Sequence, residues 1–505
     1  MHIRHFTPLM LLSLLAPLAG NALAQQPAGK NGEAASSTPV SPASATAVPA
    51  RQIGRLNFTS CTLKAPPMPG LPPASTAALC STLSVPENPD KPDGRKISLQ
   101  LSWVPAADKA AADDPLVLLA GGPGQAARES WPTLSTMLGK FPSNRPVLLI
   151  DQRGTGESNP LHCVSADGRR LIDLDPQQIE ALIASCPRQL ADKADVRFYT
   201  TPDAVRDIET VRQALGLKQL NLLGISHGTR VAQQYARLHP QHVRLMVLDA
   251  PVPNNRSLME GAPQVYRVLD QIFGLCQADA QCSQIAPNPA VQMNQALRQL
   301  RDKPVTVRAP DPLTGRIGSH RLDDDVLGTT IRMLAYTTQT AQMLPGLIAQ
   351  VSNGQYDQAA QLGSYINTSM SQMIPLGAYY AATCGEDFGE RPLPPHMGTD
   401  PLRINALLQS MQKGCTKWPQ TPLPKGFHEP LKGSVPTLVL SGEWDPVLPP
   451  SYGDEIVKNL SKARHIVLRR QGHSVIASGC MPKVVDSFLH KPDAAALDTG
   501  CLDTR

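Results

Sequence analysis

One stretch constrains the chain more than any other: Leu220, Asn221, Leu222, Leu223, Gly224, Ile225, Ser226, His227, Gly228, Thr229 and Arg230. Its apolar start reads as a buried strand ending at Gly224. A helical pattern opens after Gly228, with Val231, Ala232, Tyr235 and Leu238 on one repeat and Pro240 closing it. Between the two lies Gly-x-Ser-x-Gly. In a sharp strand-to-helix turn the serine backbone is strained, and a side chain on either flanking glycine would clash. The Ser226 hydroxyl is thereby pushed out at the carboxyl edge of a sheet, beside the positive end of a helix. The bare pattern also fits a plain tight turn with a solvated serine. The flanking strand and helix are what make Ser226 a nucleophile candidate.

The surrounding pattern is α/β. Continuous apolar runs at 115–120, 146–150 and 243–248 read as strands buried on both faces, and 202–215 reads as a helix capped by Thr201 and ended by Gly216. Ile97, Leu99, Leu101 and Trp103 alternate with polar residues, as in an antiparallel strand at the sheet edge. From 256 the signal turns mainly helical, with little strand character, until apolar runs return at 436–440 and 465–468. The economical reading is a mostly parallel, doubly wound sheet, 51–255 and 431–505, interrupted by a helical lid at 256–430.

The amino terminus has a basic start at Arg4 and His5, an apolar core over 6–19 and a small-x-small cleavage pattern at Ala22, Leu23 and Ala24. This predicts a signal peptide over 1–24, with an uncleaved anchor as the alternative, and a disordered Ala/Pro/Ser-rich linker over 25–50. Ten cysteines in an exported chain fit disulfides. Proximity suggests Cys61 with Cys80, Cys163 with Cys186, Cys276 with Cys282, Cys384 with Cys415 and Cys480 with Cys501. No Cys-x-x-Cys or His-Glu-x-x-His occurs, so no metal is expected. A net charge of +5 over 505 residues, without a basic stripe, excludes a nucleic-acid footprint. No membrane association is expected after signal cleavage, and the protein is expected in the periplasm or outside the cell.

A serine nucleophile needs a general base, an orienter for that base and an oxyanion hole. Asp445 and His473 each follow a late strand, and the order Ser226, Asp445, His473 is the one expected of an α/β-hydrolase. Asp249, at the end of the strand after the elbow, is the rival acid, with a loop cap as its bland role. Gly121, Gly122, Pro123 and Gly124 follow a strand expected beside the elbow strand, which assigns the oxyanion hole to the amides of Gly122 and His227. Asp151 and Arg153 read as loop ties.

The stretches 120–124, 151–160, 224–229 and 442–446 together resemble the exported tripeptidyl-aminopeptidase-like branch of the prolyl-iminopeptidase family, over most of the chain from about 53 onward. The resemblance implies an α/β-hydrolase with a helical lid that releases residues or short peptides from free amino termini, without cofactor. Its triad falls on Ser226, Asp445 and His473. Its cysteine-x-acid motif near the end of the lid falls on Cys384, Gly385 and Glu386, with Asp387 beside it. Either carboxylate could hold a substrate ammonium by charge-assisted hydrogen bonds, or the pair could be a solvated loop. Ala120 stands where prolyl iminopeptidases have histidine, and His227 where an aromatic residue is more usual. A carboxylesterase with the same triad is the alternative enzyme. A binding protein on a hydrolase fold would be expected to have lost part of the triad.

Overall fold

The computed structural model describes residues 48–67, 73–106, 114–165, 174–388, 393 and 398–504. The expected signal peptide and nearly all of the expected linker lie outside them. Twelve strands occur among the described residues: Arg51–Ile53 (β1), Leu56–Lys64 (β2), Ser75–Pro86 (β3), Lys96–Val104 (β4), Leu116–Leu119 (β5), Val147–Ile150 (β6), Leu220–Ile225 (β7), Val243–Asp249 (β8), Val305–Pro310 (β9), Ile317–Leu322 (β10), Thr437–Gly442 (β11) and Ala463–Leu468 (β12). Ten of them form one sheet in the order β1-β2-β3-β4-β6-β5-β7-β8-β11-β12.

From β6 to β12 every neighbour is parallel. The period-two side-chain alternation of a strand sends Leu116, Leu118, Leu223 and Val247 to one face and Val117, Leu119, Leu222 and Leu248 to the other. Both faces are covered, so these strands read as unbroken apolar runs.

The antiparallel part is larger than the sequence indicates. β4 is antiparallel, as expected, but it is not an edge, because it pairs with β6 on one side and β3 on the other. β1 and β2 extend the sheet further, and Cys61–Cys80 ties β2 to β3.

The lid has its own apolar core, separate from the two that cover the sheet. It is not only helical. β9 and β10 form an antiparallel hairpin inside it, a correction to the expected helical lid. Nor is it built from 256–430 alone. The helix Pro176–Gln189, from the first part of the chain, packs Ile179 and Ile183 into the same core as Leu408, Met411 and Cys415 of the helix Ile404–Cys415. A side chain on Gly414 would collide with Ile183, so the two helices cross in close contact. All five cysteine pairs form as proximity suggests, and no described cysteine is free. Among the described residues no helix is long and apolar enough to cross a membrane.

Candidate active site

The parallel arrangement brings the carboxyl ends of β5, β7, β8, β11 and β12 side by side, and the loops that leave them meet there. Ser226 leaves β7 with φ 56° and ψ −124°, a left-handed conformation that a non-glycine residue holds only under constraint. The constraint is visible on both sides. A side chain on Gly228 would strike the Leu119 carbonyl, and one on Gly224 would strike Gly228. The elbow is thus wedged between its own helix, His227–Leu238, and the neighbouring strand.

His473 follows β12, half-buried, and its Nδ1 lies 2.8 Å from Asp445 Oδ2. Asp445 is fully buried after β11, and its Oδ1 accepts the amides of Val447 at 2.9 Å and Leu448 at 2.8 Å. Three of the roughly four lone-pair directions of this carboxylate are therefore used to hold it and to turn it toward the imidazole. Burial alone would press the His473 imidazole down. The charge of Asp445 and the hydrogen bond to it, with Asp249 behind, carry it above its ordinary value.

Asp249, the rival acid, does not take Nδ1 of His473. It is completely buried and accepts the Ser474 hydroxyl and the amides of Val475 and Ile476, while its own carbonyl accepts the Ser226 amide at 2.9 Å. It acts as a loop tie between the elbow and the histidine loop.

The glycine loop after β5 closes over the elbow. A Cβ on Gly121 would stand 3.0 Å from Ser226 Cβ and 3.2 Å from Gln125 Oε1, so the loop lies on the serine with Gln125 beside it. Gly122 has φ 105°, open to glycine alone. Among the described residues, neither the Gly122 nor the His227 amide donates to a backbone carbonyl outside regular elements.

Glu386 and Asp387 end the lid helix Leu376–Glu386, which Cys384–Cys415 staples to its neighbour. Both are enclosed, at 2% and 3% exposure. Glu386 accepts the Thr201 amide at 2.6 Å and its hydroxyl at 3.0 Å, and pairs with Arg230 at 3.3 Å. Asp387 pairs with Arg230 at 3.0 Å and accepts the Leu258 amide. The expectation that these carboxylates face a substrate ammonium meets a physical obstacle. Both already share one fully buried guanidinium, and an ammonium would have to compete with Arg230 and Thr201 for their oxygens. Burial would raise the Glu386 carboxyl, but His227, Arg230 and the Thr201 amide bring it below its ordinary value. His227, the residue after the nucleophile, turns its Nε2 to 3.7 Å from Glu386 and 3.5 Å from the Thr201 hydroxyl. The acids therefore clamp the lid to the nucleophile helix.

The family described as alpha/beta hydrolase fold matches residues 114–291, and the family described as TAP-like protein matches 400–501. The chain is a TAP-like α/β-hydrolase. The serine protease Hip1 of Mycobacterium tuberculosis is 28% identical over 451 residues, covering 82% of this chain and 85% of that protein. The tripeptidyl aminopeptidase of Streptomyces coelicolor is 26% identical over 459 residues, covering 84% and 82%. A proline iminopeptidase of Neisseria gonorrhoeae is 30% identical over 135 residues, 26% of this chain and 31% of the other. The two family matches span the site of this TAP-like hydrolase from both ends: the first holds the glycine loop and Ser226, the second Asp445 and His473.

Three further residues of the site lie outside the sequence expectations. The Tyr336 carbonyl, from the lid, accepts the His473 amide at 2.7 Å, and the two rings meet edge-on at 5.2 Å. Arg230 reads as an ordinary helix residue and is the buried hub of the clamp. Gln125 could have been noticed as the residue following the glycine loop. Arg153 is a loop tie, as expected, with Asp207 and the carbonyls of Glu87 and Phe198 around its guanidinium.

Proposed function

We propose that this TAP-like hydrolase is an exported serine aminopeptidase that releases residues or short peptides from free amino termini through an acyl-enzyme on Ser226. The observation that carries the reading is the Asp445–His473 pair, at 2.8 Å, delivered to the same sheet edge as a strained serine. With Nδ1 committed to Asp445, His473 keeps Nε2 for the proton of Ser226. The serine Oγ attacks the scissile carbonyl as that proton moves to His473. The negative charge that develops on the carbonyl oxygen is held by the Gly122 and His227 amides. His473 returns the proton to the leaving amine, and the C–N bond breaks. Water then repeats the sequence on the acyl-enzyme, with His473 as base, and frees Ser226.

Its substrates in this reading are peptides with a free amino terminus, a specificity supported by relatives named tripeptidyl aminopeptidase and proline iminopeptidase. A periplasmic or secreted location is supported by five disulfides together with the leader pattern over 1–24. The test uses purified mature protein and the Ser226→Ala variant on chromogenic di- and tripeptide amides with free or acetylated amino termini, beside short acyl esters. Cleavage of free-amine peptides that is lost in the variant is expected. Ester cleavage indifferent to any amine would overturn the reading in favour of a carboxylesterase.

A further inference from the structure

The lid encloses a cavity of about 230 Å³. Its walls are mainly apolar, with Ile179, Met370, Ile374, Leu376, Tyr379 and Met411 among them. It lies against the glycine loop. A Cβ on Gly124 would stand 3.1 Å from Ile374 Cγ2 and 3.7 Å from the Tyr379 amide nitrogen, and both of these residues line the cavity. The space therefore begins one residue layer away from the loop whose Gly122 amide is assigned to the oxyanion.

One polar group in this cavity is out of place. Asn367, on the helix Asp357–Met373, is 3% exposed and lines the cavity, yet its Nδ2 is buried with no hydrogen-bond partner. Buried amides are almost always satisfied, and an orphaned donor that faces a cavity is a place for a ligand's acceptor oxygen. The charged side chains of the wall are engaged within the protein. Arg332 donates to the Leu402 carbonyl and the Thr329 hydroxyl, and Asp325 takes Arg403 through both oxygens at 3.1 Å.

We infer that the lid cavity is an acyl-side subsite. It takes a large apolar side chain from a residue amino-terminal to the scissile bond, and Asn367 donates to a carbonyl of the same part of the substrate. This makes the enzyme selective for apolar residues at one position near the amino terminus. The inference rests on the aminopeptidase reading for the identity of the substrate, but not for the chemistry of the pocket. Apolar pockets with a few placed polar groups are the usual form of ligand sites.

The test is a series of tripeptide amides with free amino termini, carrying alanine, leucine or phenylalanine at each position in turn. It is run on the wild type and on Ser371→Phe, which fills the cavity, Met411→Ala, which widens it, and Asn367→Leu. The wild type should prefer phenylalanine or leucine over alanine at one position by about 10- to 100-fold in kcat/KM, the range a hydrophobic pocket can supply. Ser371→Phe should bring that ratio toward one, and Met411→Ala should move the preference toward the larger residue. Asn367→Leu should raise KM for all peptides more than it lowers kcat. An undiminished preference in both Ser371→Phe and Met411→Ala overturns the assignment, as does the lack of any apolar preference. Should Ser371→Phe fail to fold, Met411→Ala decides alone. If only acyl esters are cleaved, the aminopeptidase reading falls separately. Acyl chain length, from acetyl to octanoyl, then replaces the peptide series. A chain-length preference that both variants shift keeps the cavity assignment, and one that neither shifts removes it.

Discussion

Asp249 accepts the hydroxyl of Ser474 at 2.5 Å, directly beside the histidine whose orientation matters most. The same carboxylate receives the amides of Val475 and Ile476, and the Asp249 carbonyl receives the amide of Ser226. One buried residue thus fixes the start of the nucleophile elbow and the far side of the His473 turn. Ser474 itself sits at φ 66°, a conformation the Asp249 bonds help to hold. Asp445 sets which way the imidazole points, and Asp249 sets where the loop that carries it lies.

The two acids should therefore separate by mutation. Asp445→Asn leaves Nδ1 with the wrong partner and should lower kcat by about 10⁴-fold. Asp249→Asn keeps the shape but can turn an amide donor toward the Val475 and Ile476 N–H groups. It should lower kcat by roughly 10-fold to 100-fold through misplacement of His473, with KM little changed. It should also lower stability by about 1–3 kcal/mol, the cost of leaving buried donors unmet. Steady-state kinetics with thermal unfolding of both variants checks this. Equal losses of kcat would mean that Asp249 takes part in the chemistry itself.

The histidine also sets the pH dependence. His473 must be neutral to accept the Ser226 proton, and its pKa is raised above the ordinary 6.5. In the acid range kcat/KM should accordingly rise with pH through a limb centred above 6.5 and level off beyond it. Without the charge of Asp445, burial is opposed only by the weaker influence of Asp249, so the residual activity of Asp445→Asn should show its limb shifted to lower pH. A limb at the same pH in both enzymes would assign it to another group.

How much of the fold and the site is legible in the sequence follows from the physics of each part. The strands at 115–120, 146–150 and 220–225 announce themselves because burial on both faces demands unbroken apolar runs. β2 and β3 do not, because they are rich in Ser, Thr and Ala and are only partly buried along their length. The β9–β10 hairpin is mostly exposed, so its pattern is equally faint, although the Asp311, Pro312 and Gly315 between its strands are turn residues. Among the site residues, Ser226, Asp445 and His473 sit in loops whose local sequence is unusual. Arg230 and Tyr336 act through partners 156 and 137 positions away, Glu386 and His473, and no local pattern encodes such a contact.

Nucleophile identity is checked by labelling. Ser226→Ala should lose reaction with a fluorophosphonate probe and lower kcat by about 10⁴-fold or more, with its fold intact by thermal unfolding. Ser226 is half-buried at the cleft, so removing one oxygen there costs little packing. Stoichiometric labelling that persists in the variant would place the nucleophile elsewhere.

The clamp between lid and core gives the last prediction. Arg230 is fully buried, with Glu386 at 3.3 Å and Asp387 at 3.0 Å. Arg230→Met would leave two buried carboxylates without their cation, and truncating one partner of such a group costs about 3–5 kcal/mol. Glu386→Gln keeps the Thr201 contact and should cost less. The pH dependence distinguishes the two contributions. The Glu386 carboxyl lies below its ordinary 4.5 when folded, so its contribution to stability is present above that value and is lost as pH falls through the folded pKa. Chemical denaturation at several pH values should therefore show wild type and Glu386→Gln converging in acid and diverging toward neutral pH, with Arg230→Met the least stable near neutrality. If Glu386→Gln instead matches the wild type in stability at every pH while KM for free-amine peptides rises sharply, the carboxylate contacts substrate. The clamp would then rest on Asp387 alone.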